Sequence, residues 1–151
     1  MAQNTSPIFS KIPVVAFGTL TGNIGLTRSD GVGTVGTDIF KMFTADATDG
    51  SYVSKIRITA AATTSTAMTA SVIRVYISSI TSGSTTAADT VLYQEISTAA
   101  ITAAHTTSAS NYYEIPFGVA LPPSYTILAS IDDNLAANTR WQFLTFAGDY
   151  S

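Results

Sequence analysis

Few residues in this 151-residue chain have the types and spacing that chemistry needs. Gly31-x-Gly33-x-x-Gly36 matches the dinucleotide-binding fingerprint letter for letter. That motif works by following a buried parallel strand and opening a helix whose N-terminus meets the pyrophosphate, with an acidic residue about 20 positions on. Here TRSD precedes it and the strand-like IFKMF comes after, so the segment reads as a flexible glycine loop. His105 is the sole histidine, and a Ser/His/Asp triad would have to be built around it. It lies in AAHTTS with no acidic or aromatic neighbour and reads as a solvent-exposed or interfacial loop residue, although three copies meeting on a symmetry axis could hold a metal. Glu95 and Glu114 are the only glutamates. A glycosidase pair needs two carboxyl groups roughly 5 to 10 Å apart, whereas two separate strands make solvated carboxylates the default. Asp132-Asp133-Asn134 lacks the alternate-residue spacing and closing Glu of a calcium loop and reads as a turn. Lys55, Arg57 and Arg74 can cluster across the central strands as salt-bridge partners or a subunit contact. Tyr112, Tyr113 and Trp141 could stack on sugars, but alternation sends Tyr112 and Tyr113 to opposite faces, so at least one is core. These residues predict no catalytic, cofactor-binding or metal site.

The elements that position them are strands. Tyr52–Ile80 holds two long ones: Tyr52, Ser54, Ile56 and Ile58 oppose Val53, Lys55, Arg57 and Thr59, and Ser71, Ile73, Val75 and Ile77 oppose Val72, Arg74, Tyr76 and Ser78. Each has one face fit for a core and one tolerable in water or at an interface. Ala60–Ala70 between them carries no charge, Gly or Pro, which predicts a long hairpin or an arch rather than a tight turn. Further strands are expected at Val14–Leu20, Leu26–Asp30 as a short piece, Ile39–Phe43, Thr90–Ser97, Asn111–Gly118 closed by Pro116, Ser124–Ile131 after the Pro122-Pro123 step, and Arg140–Ala147. In the last, Trp141, Phe143 and Thr145 share one face, and Gln142, Leu144 and Phe146 the other. Thr81–Ala88 reads as a loop, and Thr98–Ser110 as a long loop or weak edge strand. No amphipathic helix and no internal repeat is visible. Eight or nine short antiparallel strands predict an all-β fold, a jelly-roll-like β-sandwich over residues 13–151 behind an extended arm at residues 1–12.

Composition narrows the function class. Charged residues make up 11% of the chain, less than half the usual share of about 25%, and 46% is apolar. A lone soluble domain needs more surface charge, so either much of the outside is expected to be covered by other subunits or the exposed face is a hydroxyl-rich Thr/Ser surface. Cysteine is absent, which excludes disulfides and thiolate metal sites. Net charge is −3 with a pI near 4.7, and no run of Lys or Arg gives an electrostatic footprint for nucleic acid. The opening MAQNTSPIFSKIP lacks a basic and then apolar export signal, and no apolar run is long enough to span a bilayer, so synthesis in the cytoplasm is expected.

The succession GTVGTDIFKMFTA, SYVSKIRITAAATTSTA, RVYISS, LYQEIS, ALPPSYTILASI and WQFLTFAGDY resembles a family of small tailed-phage virion structural proteins of the head decoration, or cement, type. The resemblance spans Val14–Tyr150, is strongest at TDIF, SKIR, the LPP step and AGDY, and leaves out the N-terminal arm. It implies a jelly-roll-like sandwich on the capsid exterior that binds the major capsid protein at capsomer junctions, commonly as a homotrimer, and reinforces the shell without catalytic residues. A tail or fibre head holding host glycan through Tyr and Trp is the alternative, and a hydrolase using Glu95 and Glu114 comes third.

Overall fold

The computed structural model describes residues 10–21, 29–63, 66–102, 112–132 and 135–150. They form ten strands: β1 (Ile12–Thr21), β2 (Phe40–Thr44), β3 (Ser51–Ala62), β4 (Ala67–Met68), β5 (Ser71–Ser78), β6 (Thr90–Thr98), β7 (Ile101–Thr102), β8 (Tyr112–Leu121), β9 (Thr126–Ile131) and β10 (Thr139–Asp149). The pairing is nested: β1 with β10, β2 with β9, β3 with β8, β4 with β7 and β5 with β6, all antiparallel. The chain is thus one long hairpin, rolled so that β10 also pairs with β3 and β9 with β5. Rolling gives a front sheet, β1-β10-β3-β8, and a back sheet, β2-β9-β5-β6. This is the jelly-roll form of the β-sandwich. The connection from β3 to β5 is therefore an arch that crosses between sheets, not a hairpin.

Alternation builds the core from rows running across each sheet. In the front sheet, Ala16, Thr145, Ile56 and Ile115 form one inward row, and Gly18, Phe143, Ile58 and Tyr113 the next. Facing them from the back sheet are Ile73, Val75, Ile127, Ala129 and Ile131, all fully buried. Trp141 and Phe143 are the large side chains at the centre. One lateral side is closed where β1 passes so near β2 that a Cβ on Gly18 would collide with Met42. The other is closed by Tyr93 of β6 stacked on Phe117 of β8 with ring centroids 4.1 Å apart.

Three bulges depart from strict alternation. Ser54 is an extra residue in β3, because Phe146 pairs with Lys55 while Ala147 pairs with Val53. Val53 therefore joins the core with Ile56 and Ile58, and Tyr52 and Ser54 lie outside, the reverse of the simple period-two assignment. Met42 is extra in β2, so it and Phe43 are both buried. Tyr93 is extra in β6. Such insertions bend a strand and re-aim its side chains. Pro116 does not close its strand: β8 runs through it to Leu121. A proline is tolerated there because β8 is an edge strand and needs no outward N–H. The proline step at 122–123 does end it.

The expected arm lies for residues 1–9 outside the described residues, as do Leu26–Arg28 of the short second piece, His105, Asp133 and Asn134. Lys11, just before β1, is tied to β10, its N–H donating to the Asp149 carbonyl at 2.8 Å. No helix among the described residues is long and apolar enough to cross a membrane.

Candidate interaction surface

The register fixes what each sheet shows to the outside. Across the front sheet, four outward rows run from β1 to β8: Pro13, Gly148, Tyr52 and Ala120; Val15, Phe146, Lys55 and Pro116; Phe17, Leu144, Arg57 and Glu114; Thr19, Gln142, Thr59 and Tyr112. The rows that start at Val15 and at Phe17 begin apolar and become charged at β3. Phe17 is 82% exposed and Val15 51%, with Leu144 and Phe146 half-buried beside them. An apolar band on β1 and β10 thus borders a charged cluster on β3 and β8. In that cluster, Lys55 Nζ lies 3.1 Å and Arg57 2.6 Å from Glu114 Oε1. The Arg57 guanidinium also covers the Tyr112 ring at 4.7 Å, and Lys55 Nζ stands 5.2 Å from the Phe146 ring. Hydrogen bonds from Arg57 and then Lys55 hold the Glu114 carboxyl below the usual carboxylate range. Two cations against one carboxylate leave this face locally positive on a chain of net charge −3. A shallow groove of about 520 Å³ lies among Ser54, Lys55, Glu114 and Pro116.

The back sheet is dressed by its own chain. Its outward row Leu128, Tyr76 and Leu92 is covered by Val35 and Ile39 of the glycine segment, and Ile39, Tyr76 and Leu128 are fully buried. The neighbouring row, Thr126, Ser78 and Thr90, is also buried. Its hydroxyls are satisfied within the protein: Ser78 Oγ meets Thr90 Oγ1 at 2.7 Å, and Thr126 donates to the Ile80 carbonyl at 2.7 Å. Thr85 pins the glycine segment, accepting from the Gly33 N–H at 2.9 Å while its hydroxyl lies 2.6 Å from the Gly31 carbonyl. Gly31 has φ +72° and sits where a Cβ would come within 2.9 Å of Tyr76 and 2.7 Å of Thr90. The Gly-x-Gly-x-x-Gly segment is therefore a fastened cover for Tyr76, with a strand after it and no helix to aim at a phosphate.

The other sequence candidates are dispersed. Glu114 leaves the front face and Glu95 the back face, where Arg74 Nε donates to it at 2.7 Å, so the two glutamates form no facing pair. Lys55 and Arg57 do cluster, but Arg74 belongs to the opposite sheet. Trp141 is buried, and Tyr113 packs inward with ring centroids 5.9 Å from it, which leaves Tyr112 as the outward member of the three. Asp132 ties sheet strands together instead of making a calcium loop: Oδ1 accepts from the Val72 N–H at 2.7 Å and the Ser71 hydroxyl at 2.8 Å. Among the described residues no group of three or more acidic or histidine side chains could hold a metal ion.

Sequence reasoning passed over the apolar band. Its signal was there in VVAFG and FLTF, where apolar residues occupy both parities of a strand, so that one apolar set must face outward unless something covers it. Which parity that is depends on the pairing of β1 with β10.

No family model matches the chain, and no curated protein matches it. Among solved structures it is similar to a chain described as belonging to the cyanophage Pam1 capsid asymmetric unit, at 14% identity, over 97% of this chain and 93% of that one, with a TM-score of 0.39.

Proposed function

We propose that this chain is a virion structural protein of the head decoration type, which docks on the major capsid protein at the outside of the shell through the outer face of the front sheet. The observation that supports this reading is the inequality of the two outer faces. The back sheet has the glycine segment over Tyr76 and Leu128, while the front sheet leaves Phe17, Val15, Leu144 and Phe146 beside Lys55 and Arg57. Contiguous exposed apolar side chains rimmed by polar ones mark contact surfaces. The apolar band contributes about 25 cal/mol for each Å² it removes from water, and the cations select an acidic partner surface and fix its register. Modest contacts suffice when symmetry repeats them over a shell. The order of sequence segments that resembles the decoration family supports the same reading, including its expectation of several copies acting together.

The glycan-holding alternative would rest on Tyr112, 58% exposed with Arg57 at its ring, and on Tyr52, since Trp141 and Tyr113 serve the core.

The test is co-sedimentation of the purified chain with shells that lack it. Saturable binding and a higher temperature of shell disruption are expected, with both lost when Lys55→Glu and Arg57→Glu are combined. Binding to isolated tails but not to shells would sink the proposal.

A further inference from the structure

We infer that Lys55 and Arg57 form a receptor for a carboxylate side chain of a partner protein, and that Glu114 stands in for that carboxylate in the free chain and so weakens the contact. The inference rests on the docking reading above and names the group that the two cations take. An arginine offers five N–H donors and a lysine three, and neither offers an acceptor. Arg57 spends Nε at 3.0 Å and one Nη2 hydrogen at 2.6 Å, and Lys55 spends one hydrogen at 3.1 Å. All of these converge on a single oxygen, Glu114 Oε1. Among the described residues, the other N–H groups of the guanidinium and the ammonium meet no acceptor from the chain. They are open to a partner, since the Lys55 and Arg57 side chains are 41% and 39% exposed.

Surplus donors together with a surplus positive charge call for an anionic acceptor, and on a protein surface that acceptor is an Asp or Glu side chain. Charge-assisted hydrogen bonds to a carboxylate are the short, strong ones, and a guanidinium matches its two oxygens. The groove among Ser54, Lys55, Glu114 and Pro116 gives such a side chain room beside Lys55. Its other walls compete little: Pro116 has no N–H, and the Ser54 hydroxyl already donates to the Phe146 carbonyl at 3.0 Å. Glu114 has two opposed effects. It holds the cations in place, but a second carboxylate brought to the same cations comes close to it, and like charges disfavour each other. Arg57 keeps another support, the Tyr112 ring 4.7 Å away, when Glu114 is neutral. Repulsion therefore outweighs orientation, and Glu114 limits the affinity of the site.

An NMR titration of the purified chain with a hexaglutamate peptide at low salt provides the test. Saturable shifts of the Arg57 Nε–H and the Tyr112 ring are expected, and Arg57→Ala should lose the ring shifts with an unchanged far-UV spectrum. Glu114→Gln should bind the peptide about threefold more tightly or better, the scale of removing one like charge in water. Glu95→Gln removes the same charge from the back sheet and should gain clearly less. An affinity in Glu114→Gln equal to or below that of the wild type would overturn the inference. So would an equal gain from Glu95→Gln, or shifts produced by hexalysine in place of hexaglutamate. The titration needs no shell, so a chain that takes the peptide as expected but does not co-sediment with shells would sink the docking reading and leave the carboxylate receptor standing.

Discussion

Two residues show how local chemistry sets stability here. Thr145 sits in the inward row between Ala16 and Ile56, fully buried, and its hydroxyl has no hydrogen-bond partner among the described residues. A buried unsatisfied hydroxyl costs free energy that an isosteric methyl does not. Thr145→Val should therefore stabilise the fold by about 1 kcal/mol, read as a rise in denaturation midpoint; a fall would mean that the hydroxyl is satisfied. Asp132 works in the opposite direction. Partial burial pushes its carboxyl up, but the Val72 amide, the Ser71 hydroxyl and the Arg74 charge outweigh burial and hold it below its ordinary value. Its folded-state affinity for a proton is thus lower than in the unfolded chain, so it contributes stability above about pH 4 that is lost as pH falls through the depressed folded value. Denaturant midpoints measured across that acid range should decline less steeply in Asp132→Asn, and Asp132→Ala should cost about 1–2 kcal/mol at neutral pH.

At the scale of elements, the glycine segment is the part whose role changes most between sequence and structure. It is a cover held by Thr85 and by two backbone bonds: Val35 N–H to the Gly83 carbonyl and Thr85 N–H to the Gly33 carbonyl, both 2.8 Å. Gly31→Ala forces a left-handed backbone on alanine and a Cβ against Tyr76, which should cost about 1–3 kcal/mol. If the segment is a cover, the amides of Val35 and Thr85 will exchange faster in that variant while β10 amides do not. Equal protection in both would mean that the cover is held elsewhere. The bulges belong to the same scale. Ser54, Met42 and Tyr93 each add one residue to a strand, and each turns the rest of its strand over by one face. The Ser54 bulge is what places Lys55 and Arg57, rather than Val53, on the outer face.

For the whole molecule, the unequal outer faces make a prediction about salt. In the proposed docking, Lys55 and Arg57 would meet the partner at the solvent-exposed side of the contact, where added salt screens charge over about 10 Å at 0.1 M. Shell binding should weaken as salt rises, and the remaining affinity at high salt should fall further with Leu144→Asp, which removes the apolar share. Binding that strengthens steadily with salt would leave the charged cluster without a part in docking. The scarcity of charge, 11% of the chain, fits a molecule that is not meant to stand alone in water.

What the sequence determined by itself is local. Period-two alternation and proline and glycine punctuation marked β1, β2, β3, β5, β6, β9 and β10 nearly to their ends, and put Ile56 with Ile58 and Trp141 with Phe143 on shared faces, because those signals come from neighbours along the chain. The tertiary structure decided everything that depends on a partner distant in sequence. Whether β3 and β5 form a hairpin or an arch is settled by β8 and β9, which pair with them from more than 40 residues away. The bulge at Ser54 exists only relative to β10, so it could not be read from β3. Glu95 and Glu114 have similar strand contexts, yet the rolling of the long hairpin sends them off opposite faces. The apolar band is of the same kind. Val15 and Phe17 are ordinary strand residues until pairing makes β1 the last strand of its sheet and turns their face outward.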